Sequence, residues 1–361
     1  MKILIGSDTY YPDVNGASYF ARRLAKGLAE RGHEVHALRP SGSFSPEVTE
    51  REGTIIHGIP SVPVPFHAPF RFSPPPFSYR SVLREVESIE PEVVHVQSHF
   101  SIGRTLVRLS RDFDLPIVAT NHFMPDNLIH YLHLPERAER AVMDLAWRDF
   151  ARVFSQVELV TAPTPFAARL AEEKGAGSDV TPVSCGIDTM RFNPGNDGSG
   201  FRRGHGIPDR PTFLYVGRLD AEKRVEDGIR ALKLVREEVD AQFMVAGDGR
   251  RREELAALAR SEGVSEHVIF TGFVEDEELP DAYAACDVFC NAGVAELQSI
   301  VTMEAMATGK PVVAANARAL PHLVHEGVNG HRFEPGDVQT LASRLAELLS
   351  DEGKRAEMGE R

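Results

Sequence analysis

Apolar residues fall along this chain in two alternating rhythms. Short unbroken runs, such as Ile3-Leu4-Ile5 near the start, give way to longer stretches with apolar positions every three to four residues. The first rhythm predicts strands buried on both faces, and the second predicts amphipathic helices. Strands are expected at residues 2–7, His33–Leu38, Val93–Gln97, Pro116–Thr120 and Leu159–Ala162. Helices are expected at Ala17–Arg31, which Gly32 stops, and at Ser78–Ile89, Arg137–Phe154 and Pro165–Lys174.

The rhythm breaks at Asn193–Pro211, where Gly, Pro, Asn and Asp dominate, and this stretch reads as a linker. The alternation then restarts. Strands are expected at Thr212–Val216, Gln242–Ala246, Val268–Thr271, Val288–Cys290 and Pro311–Ala314. Helices are expected at Val225–Val239, Arg250–Ser261, Ser299–Thr308 and Val338–Leu349. The fold class is α/β: two Rossmann-like, doubly wound parallel-sheet domains, residues 1–193 and 194–361. Ligands of such sheets bind outside the carboxyl ends of the strands, here expected in a cleft between the domains.

One stretch departs from both rhythms. Ile59–Tyr79 carries seven prolines and five aromatic residues, so neither a regular helix nor an inner strand suits it. A long, partly apolar loop is expected, either recognising a partly apolar acceptor or capping the first domain's core.

Composition narrows the function. The formal net charge is −13, which argues against non-specific nucleic-acid binding. Residues 1–193 hold 20 basic and 23 acidic side chains and residues 194–361 hold 20 and 30, so the acidity sits mainly in the second domain. Cys185, Cys286 and Cys290 form no disulfide framework and suit a reducing, cytoplasmic setting. No apolar run is long enough to span a membrane, while peripheral contact at the inner face stays open.

Several loops carry candidate chemistry. Arg218 and Lys223 follow the strand Thr212–Val216, where both can point at a phosphate: arginine as a two-pronged donor, lysine as a point charge. A solvated basic pair is the plain alternative. Glu296 follows the strand Val288–Cys290, and Glu304 lies eight positions on, inside a helix. Carboxylates suit pairs of hydroxyl donors. Leu297, Gln298, Ser299 and Ile300 form the expected helix start, whose backbone N–H groups make an anion site. Asn15 and Gly16 open the first helix, and the glycine lets a phosphate or acceptor approach the backbone. Gly247-Asp248-Gly249 is a tight turn that suits pure turn chemistry as well as a ligand contact. Histidines gather at His95, His99, His122, His130 and His133, without the spacing of a zinc site, and no metal is expected. His122 follows a strand and should emerge at the rim of the cleft.

Taken in order, these pieces resemble the retaining glycosyltransferases of family four, whose fold is called GT-B. The matching pieces are Asn15-Gly16, Arg31-Gly32-His33-Glu34-Val35, Thr161-Ala162-Pro163-Thr164, Gly186-Ile187-Asp188, Val216-Gly217-Arg218-Leu219 and Gly247-Asp248-Gly249. They continue with Glu296 through Glu304-Ala305-Met306-Ala307, Gly309-Lys310-Pro311-Val312-Val313 and Gly327-Val328-Asn329-Gly330, and cover nearly the whole chain. The resemblance implies that Arg218 and Lys223 hold the donor diphosphate, Glu304 the ribose and Glu296 the transferred sugar. It places His122 at the anomeric centre and Gly16 against the phosphate. It also implies retention of anomeric configuration, no cofactor and no catalytic metal. Two departures stand out. Leu297-Gln298-Ser299 replaces the family's frequent Gly-Phe-Gly, and the first loop has one glycine where many relatives have two.

The function expected from this resemblance is transfer of a hexose from a UDP-glucose- or GDP-mannose-type nucleotide-sugar to an acceptor hydroxyl. The acceptor would be a sugar, a lipid or glycolipid, or another small molecule, and no nucleic acid takes part. Two alternatives stand beside it, the first of the same fold and the second of a different functional class. A sugar-nucleotide 2-epimerase would carry acid–base carboxylates in both domains, and a non-catalytic sugar-nucleotide-binding module would release no nucleotide.

Overall fold

A computed structural model of the chain describes residues 1–13, 15–64, 67–125 and 134–361. The chain divides into two compact units, Met1–Cys185 and Gly186–Arg361. The division lies upstream of the expected one at 193/194, for a packing reason. Phe192 is 2% exposed in the second unit's core, edge-on to Tyr283 at 5.7 Å, and Arg191 pairs with Asp276 at 3.0 Å. The expected linker is also structured, with a short helix at Ser199–Gly204 that buries Phe201.

The first unit is an eight-stranded sheet in the order β10-β9-β8-β7-β1-β2-β4-β3. Its strands are β1 (Lys2–Gly6), β2 (Glu34–Pro40), β3 (Glu47–Arg51), β4 (Thr54–Ile59), β7 (Val93–Val96), β8 (Ile117–Thr120), β9 (Leu159–Ala162) and β10 (Val180–Pro182). Only β3 runs antiparallel, joined to β4 through Glu52 and Gly53, both at positive φ (51° and 74°). That turn geometry matches strand twist and makes a two-residue hairpin.

The expected loop at Ile59–Tyr79 is largely ordered structure. Val62–Val64 (β5) and His67–Phe72 (β6) form a separate two-stranded antiparallel hairpin, and a helix begins at Phe77. Pro63 is tolerated because a two-stranded ribbon consists only of edges. Arg71 anchors the hairpin by donating to the Ser61 hydroxyl at 2.7 Å and carbonyl at 3.0 Å. Phe66 lies outside the described residues. Phe72 and Phe77 are 41% and 52% exposed, and Phe77 meets the 53%-exposed Phe44 edge-on at 5.5 Å. These rings do not cap the core.

The second unit is a six-stranded parallel sheet in the order β13-β12-β11-β14-β15-β16. Its strands are β11 (Thr212–Val216), β12 (Gln242–Ala246), β13 (Val268–Gly272), β14 (Val288–Asn291), β15 (Val312–Ala315) and β16 (Gly330–Phe333). Every residue of β11, β12, β14 and β15 is buried, as continuous apolar runs require in a sheet covered on both faces. In each unit the chain leaves one central strand in one direction and its neighbour in the other. These switch points lie between β1 and β7 and between β11 and β14. Loops diverge there, which opens a crevice at the carboxyl ends of the strands.

Candidate active site

The second unit's switch point gathers its candidate residues from the loops after β11 and β14. The first loop turns at Gly217 (φ 147°), and the Tyr215 hydroxyl donates to the Arg218 carbonyl at 2.7 Å. The loop rests on the Gly247–Gly249 turn, where the Leu219 N–H donates to the Asp248 carbonyl at 3.0 Å. A Cβ on Gly247 (φ 148°) would overlap the Gly217 carbonyl, so this glycine permits backbone-to-backbone contact. The turn thus seats the loop bearing Arg218 and Lys223.

Both cations are held by carboxylates. Arg218 pairs with Asp220 at 2.7 Å and with Glu222 at 3.3 Å. Lys223 pairs with Glu296 at 2.7 Å across the two loops, with side chains 18% and 12% exposed. Glu222 is 2% exposed, burial pushes its carboxyl above the usual range, and its carbonyl accepts from the Val294 N–H at 2.9 Å. Asp220 and Glu222 were not singled out in the sequence. The signal available was their spacing around Arg218, at i+2 and i+4.

The second loop is clasped from beneath by Asn291. Its amide donates to Ser299 and Thr302, both at 3.0 Å, and its Oδ1 accepts from the Gly293 N–H at 3.0 Å. The helix that follows spans Ile300–Ala307 with Ser299 as N-cap, so Leu297 and Gln298 lie ahead of the helix rather than in its first turn. Leu297 is 8% exposed and Ser299 1%, so the Leu297 side chain is packed and the Ser299 hydroxyl serves the clasp. Glu304 lies one turn into the helix, 8% exposed, and accepts from the Tyr283 hydroxyl at 2.9 Å.

In the first unit, Asn15 is the N-cap of the helix Gly16–Ala29, and its Oδ1 accepts from the Ser18 N–H at 3.0 Å. The Asn15 side chain is therefore engaged in capping. Asp8, missed in the sequence, takes hydrogen bonds from Ser98 (2.5 Å), Ser101 (3.0 Å) and the N–H groups of Ile102 (3.0 Å) and Gly103 (3.3 Å). It ties the loop after β1 to the helix Ser101–Asp112 that follows β7.

His122 follows β8, half-buried, with Nε2 at 3.0 Å from Gln97 Oε1 and its ring 4.9 Å from Phe20. Burial, and then His95, push its pKa down to about 3, so the imidazole is neutral near pH 7. Burial likewise lowers His95 and His99 to about 4. His95 bonds Thr120, which bonds Thr161, both at 2.8 Å. His130 and His133 lie outside the described residues. Among the described residues, no three His, Cys, Asp or Glu side chains converge to hold a metal ion. Among them too, no helix is long and apolar enough to cross a membrane.

Comparison with known proteins covers both units. The family described as Glycosyltransferase Family 4 matches residues 14–191, and Glycosyl transferases group 1 matches residues 200–361. A GDP-mannose-dependent alpha-mannosyltransferase of Corynebacterium glutamicum is 26% identical over 99% of this chain and 83% of its own. Alpha-monoglucosyldiacylglycerol synthase of Streptococcus pneumoniae is 26% identical over 91% of this chain and 74% of its own. The solved structure of sucrose-phosphate synthase from Thermosynechococcus elongatus shares the fold, with a TM-score of 0.81 at 21% identity over 99% of this chain and 92% of that one.

Proposed function

Since the chain belongs to the group 1 glycosyltransferases of family four, with their GT-B fold and use of a nucleotide-sugar donor, we propose that it is a retaining, metal-independent hexosyltransferase. The donor is of the UDP-glucose or GDP-mannose type. The observation that carries this reading is the convergence of Arg218, Lys223, Glu296 and the start of the helix Ile300–Ala307 at one switch point, with Glu304 one turn further on.

The donor diphosphate is drawn to Arg218, Lys223 and the backbone N–H groups at the helix start. Lys223 exchanges Glu296 for a phosphate oxygen, and Glu296 then accepts hydrogen bonds from the hydroxyls of the sugar. Glu304 accepts from the ribose hydroxyls. The acceptor oxygen attacks the anomeric carbon on the face from which the phosphate departs. The carbon–oxygen bond to phosphate breaks, and the leaving phosphate oxygen takes the acceptor's proton. Stabilising that developing phosphate charge is the largest catalytic term. The family resemblance assigns His122 a role at the anomeric centre and Gly16 a role at the phosphate; the neutral imidazole suits His122 to hydrogen bonding rather than to acting as an acid.

Of the exposed rings, Phe44 follows β2, Phe72 ends β6 and Phe77 opens the helix after it. They support a partly apolar acceptor, such as a lipid or glycolipid, with a cytoplasmic enzyme touching the membrane from its inner face. The pneumococcal relative is named for making a monoglucosylated diacylglycerol, a product of that kind. A donor panel, scored by free nucleotide release in excess EDTA with lipid and sugar acceptors, tests this reading. Turnover in EDTA and an α-linked product by anomeric-proton NMR coupling are expected. A β product, or activity lost in EDTA and restored by Mg²⁺ or Mn²⁺, would overturn it.

A further inference from the structure

Glu304 is served from the core side by the hydroxyl of Tyr283. Tyr283 belongs to the helix Leu279–Ala284 and is fully buried, with its ring edge-on to Phe192 at 5.7 Å and tilted to Phe289 at 5.8 Å. Packing on two sides fixes the ring, and the ring fixes its hydroxyl 2.9 Å from Glu304 Oε2. Burial, and then the Glu304 charge, hold the phenol well above its ordinary pKa, so it remains a donor. A carboxylate held in this way has one oxygen committed to the core side. Its plane is set before a ligand arrives, and a pre-set acceptor loses less rotamer freedom on binding.

We propose that Tyr283 is a positioning residue that sets the Glu304 carboxylate to receive the ribose hydroxyls of the donor. This inference rests on the ribose-binding role proposed above for Glu304. It makes sugar-ring recognition in the nucleotide depend on a side chain that touches no substrate. The hydrogen bonds to the ribose are made alike in the ground state and the transition state, so their loss falls on donor affinity and leaves kcat nearly unchanged.

Tyr283→Phe keeps the ring and removes the hydroxyl. The probes are the nucleoside diphosphate of the preferred donor and its 2′,3′-dideoxy analogue, titrated calorimetrically into native protein, Tyr283→Phe and Glu304→Gln. Native protein should prefer the ribose form, and Tyr283→Phe should weaken that form by about 5–20-fold. The analogue should bind both proteins equally, and kcat should stay within about twofold. Equal weakening of both ligands in Tyr283→Phe would reduce the tyrosine to a packing role and overturn the inference, as would unchanged discrimination. If Glu304→Gln also keeps the native discrimination, the ribose role of Glu304 itself is wrong. If Glu304→Gln loses it and Tyr283→Phe keeps it, only the positioning role fails. Thermal melts of both variants establish that each is folded.

Discussion

Replacing Lys223 with alanine separates the charge of the donor site from its stability. The ammonium lies 2.7 Å from Glu296, with the two side chains 18% and 12% exposed. Breaking one side of a fully buried pair costs roughly 3–5 kcal/mol, whereas an exposed pair is worth ~0–1 kcal/mol. At this intermediate burial the expected loss of stability is about 1–2 kcal/mol. For a unit of this size that corresponds to a melting temperature lower by ~2–8 °C. Catalysis should suffer more. Losing a charged donor aimed at the leaving group removes ~2–4 kcal/mol of transition-state stabilisation, or ~30–1000-fold in kcat/KM. A second variant, Lys223→Met with Glu296→Gln, leaves no unpaired charge. It should recover most of the melting temperature and none of the activity. The assays are initial rates of nucleotide release over a donor series and thermal melts of the same preparations. A Lys223→Ala enzyme within about threefold of native kcat/KM would refute the diphosphate role. So would a double variant that regains activity along with stability.

Arg218→Ala should lose a similar ~2–4 kcal/mol in kcat/KM, and Arg218→Lys should rescue it only in part, because a lysine cannot reproduce the planar fork held by Asp220 and Glu222. Phe72→Ser with Phe77→Ser should raise the KM for a lipid acceptor and weaken liposome binding with little change in melting temperature, since both rings are already largely exposed. A large fall in melting temperature with native acceptor kinetics would contradict that account. Stability should also fall in acid. His95, His99 and His122 are held below the ordinary histidine value, at about 4, 4 and 3, so the unfolded chain takes up protons first as pH drops. Their contribution is complete above about pH 6.5 and is lost as pH falls toward 4. Urea melts between pH 7.5 and 4.5 should show a steepening loss, and a flat profile would show these imidazoles to be solvated.

The local rhythm of apolar residues was enough to place β11, β12, β14 and β15, because a strand buried on both faces needs an unbroken apolar run, and it also placed the half-exposed edge strand β13, but not β16. It was also enough to place Arg218, Lys223 and Glu296 on loops at strand ends, since those loops are bounded by the same runs. It could not show β3, β4 and the hairpin of β5 with β6. β3 is exposed or half-exposed and the hairpin of β5 with β6 bears prolines, so only partner strands give them a regular form; β4 is largely buried, but its run Thr54–Ile59 is broken by His57 and Gly58. The unit boundary escaped for a related reason: Gly and Pro mark a break in regular structure, but Phe192 chooses its core by what it packs against.

Strand order is the deepest of these differences. The sequence lists β11 and β14 as separated by two strands and three helices, yet they are neighbours, and that adjacency brings Lys223 to Glu296 across 73 positions. The same folding sets Tyr283 beneath Glu304 and Asn291 beneath the loop that carries Glu296. Residue type and local period determine which elements form and which side chains can bind a phosphate or a hydroxyl. Which carboxylate neutralises which cation depends on distances across the sheet, and no local pattern encodes those.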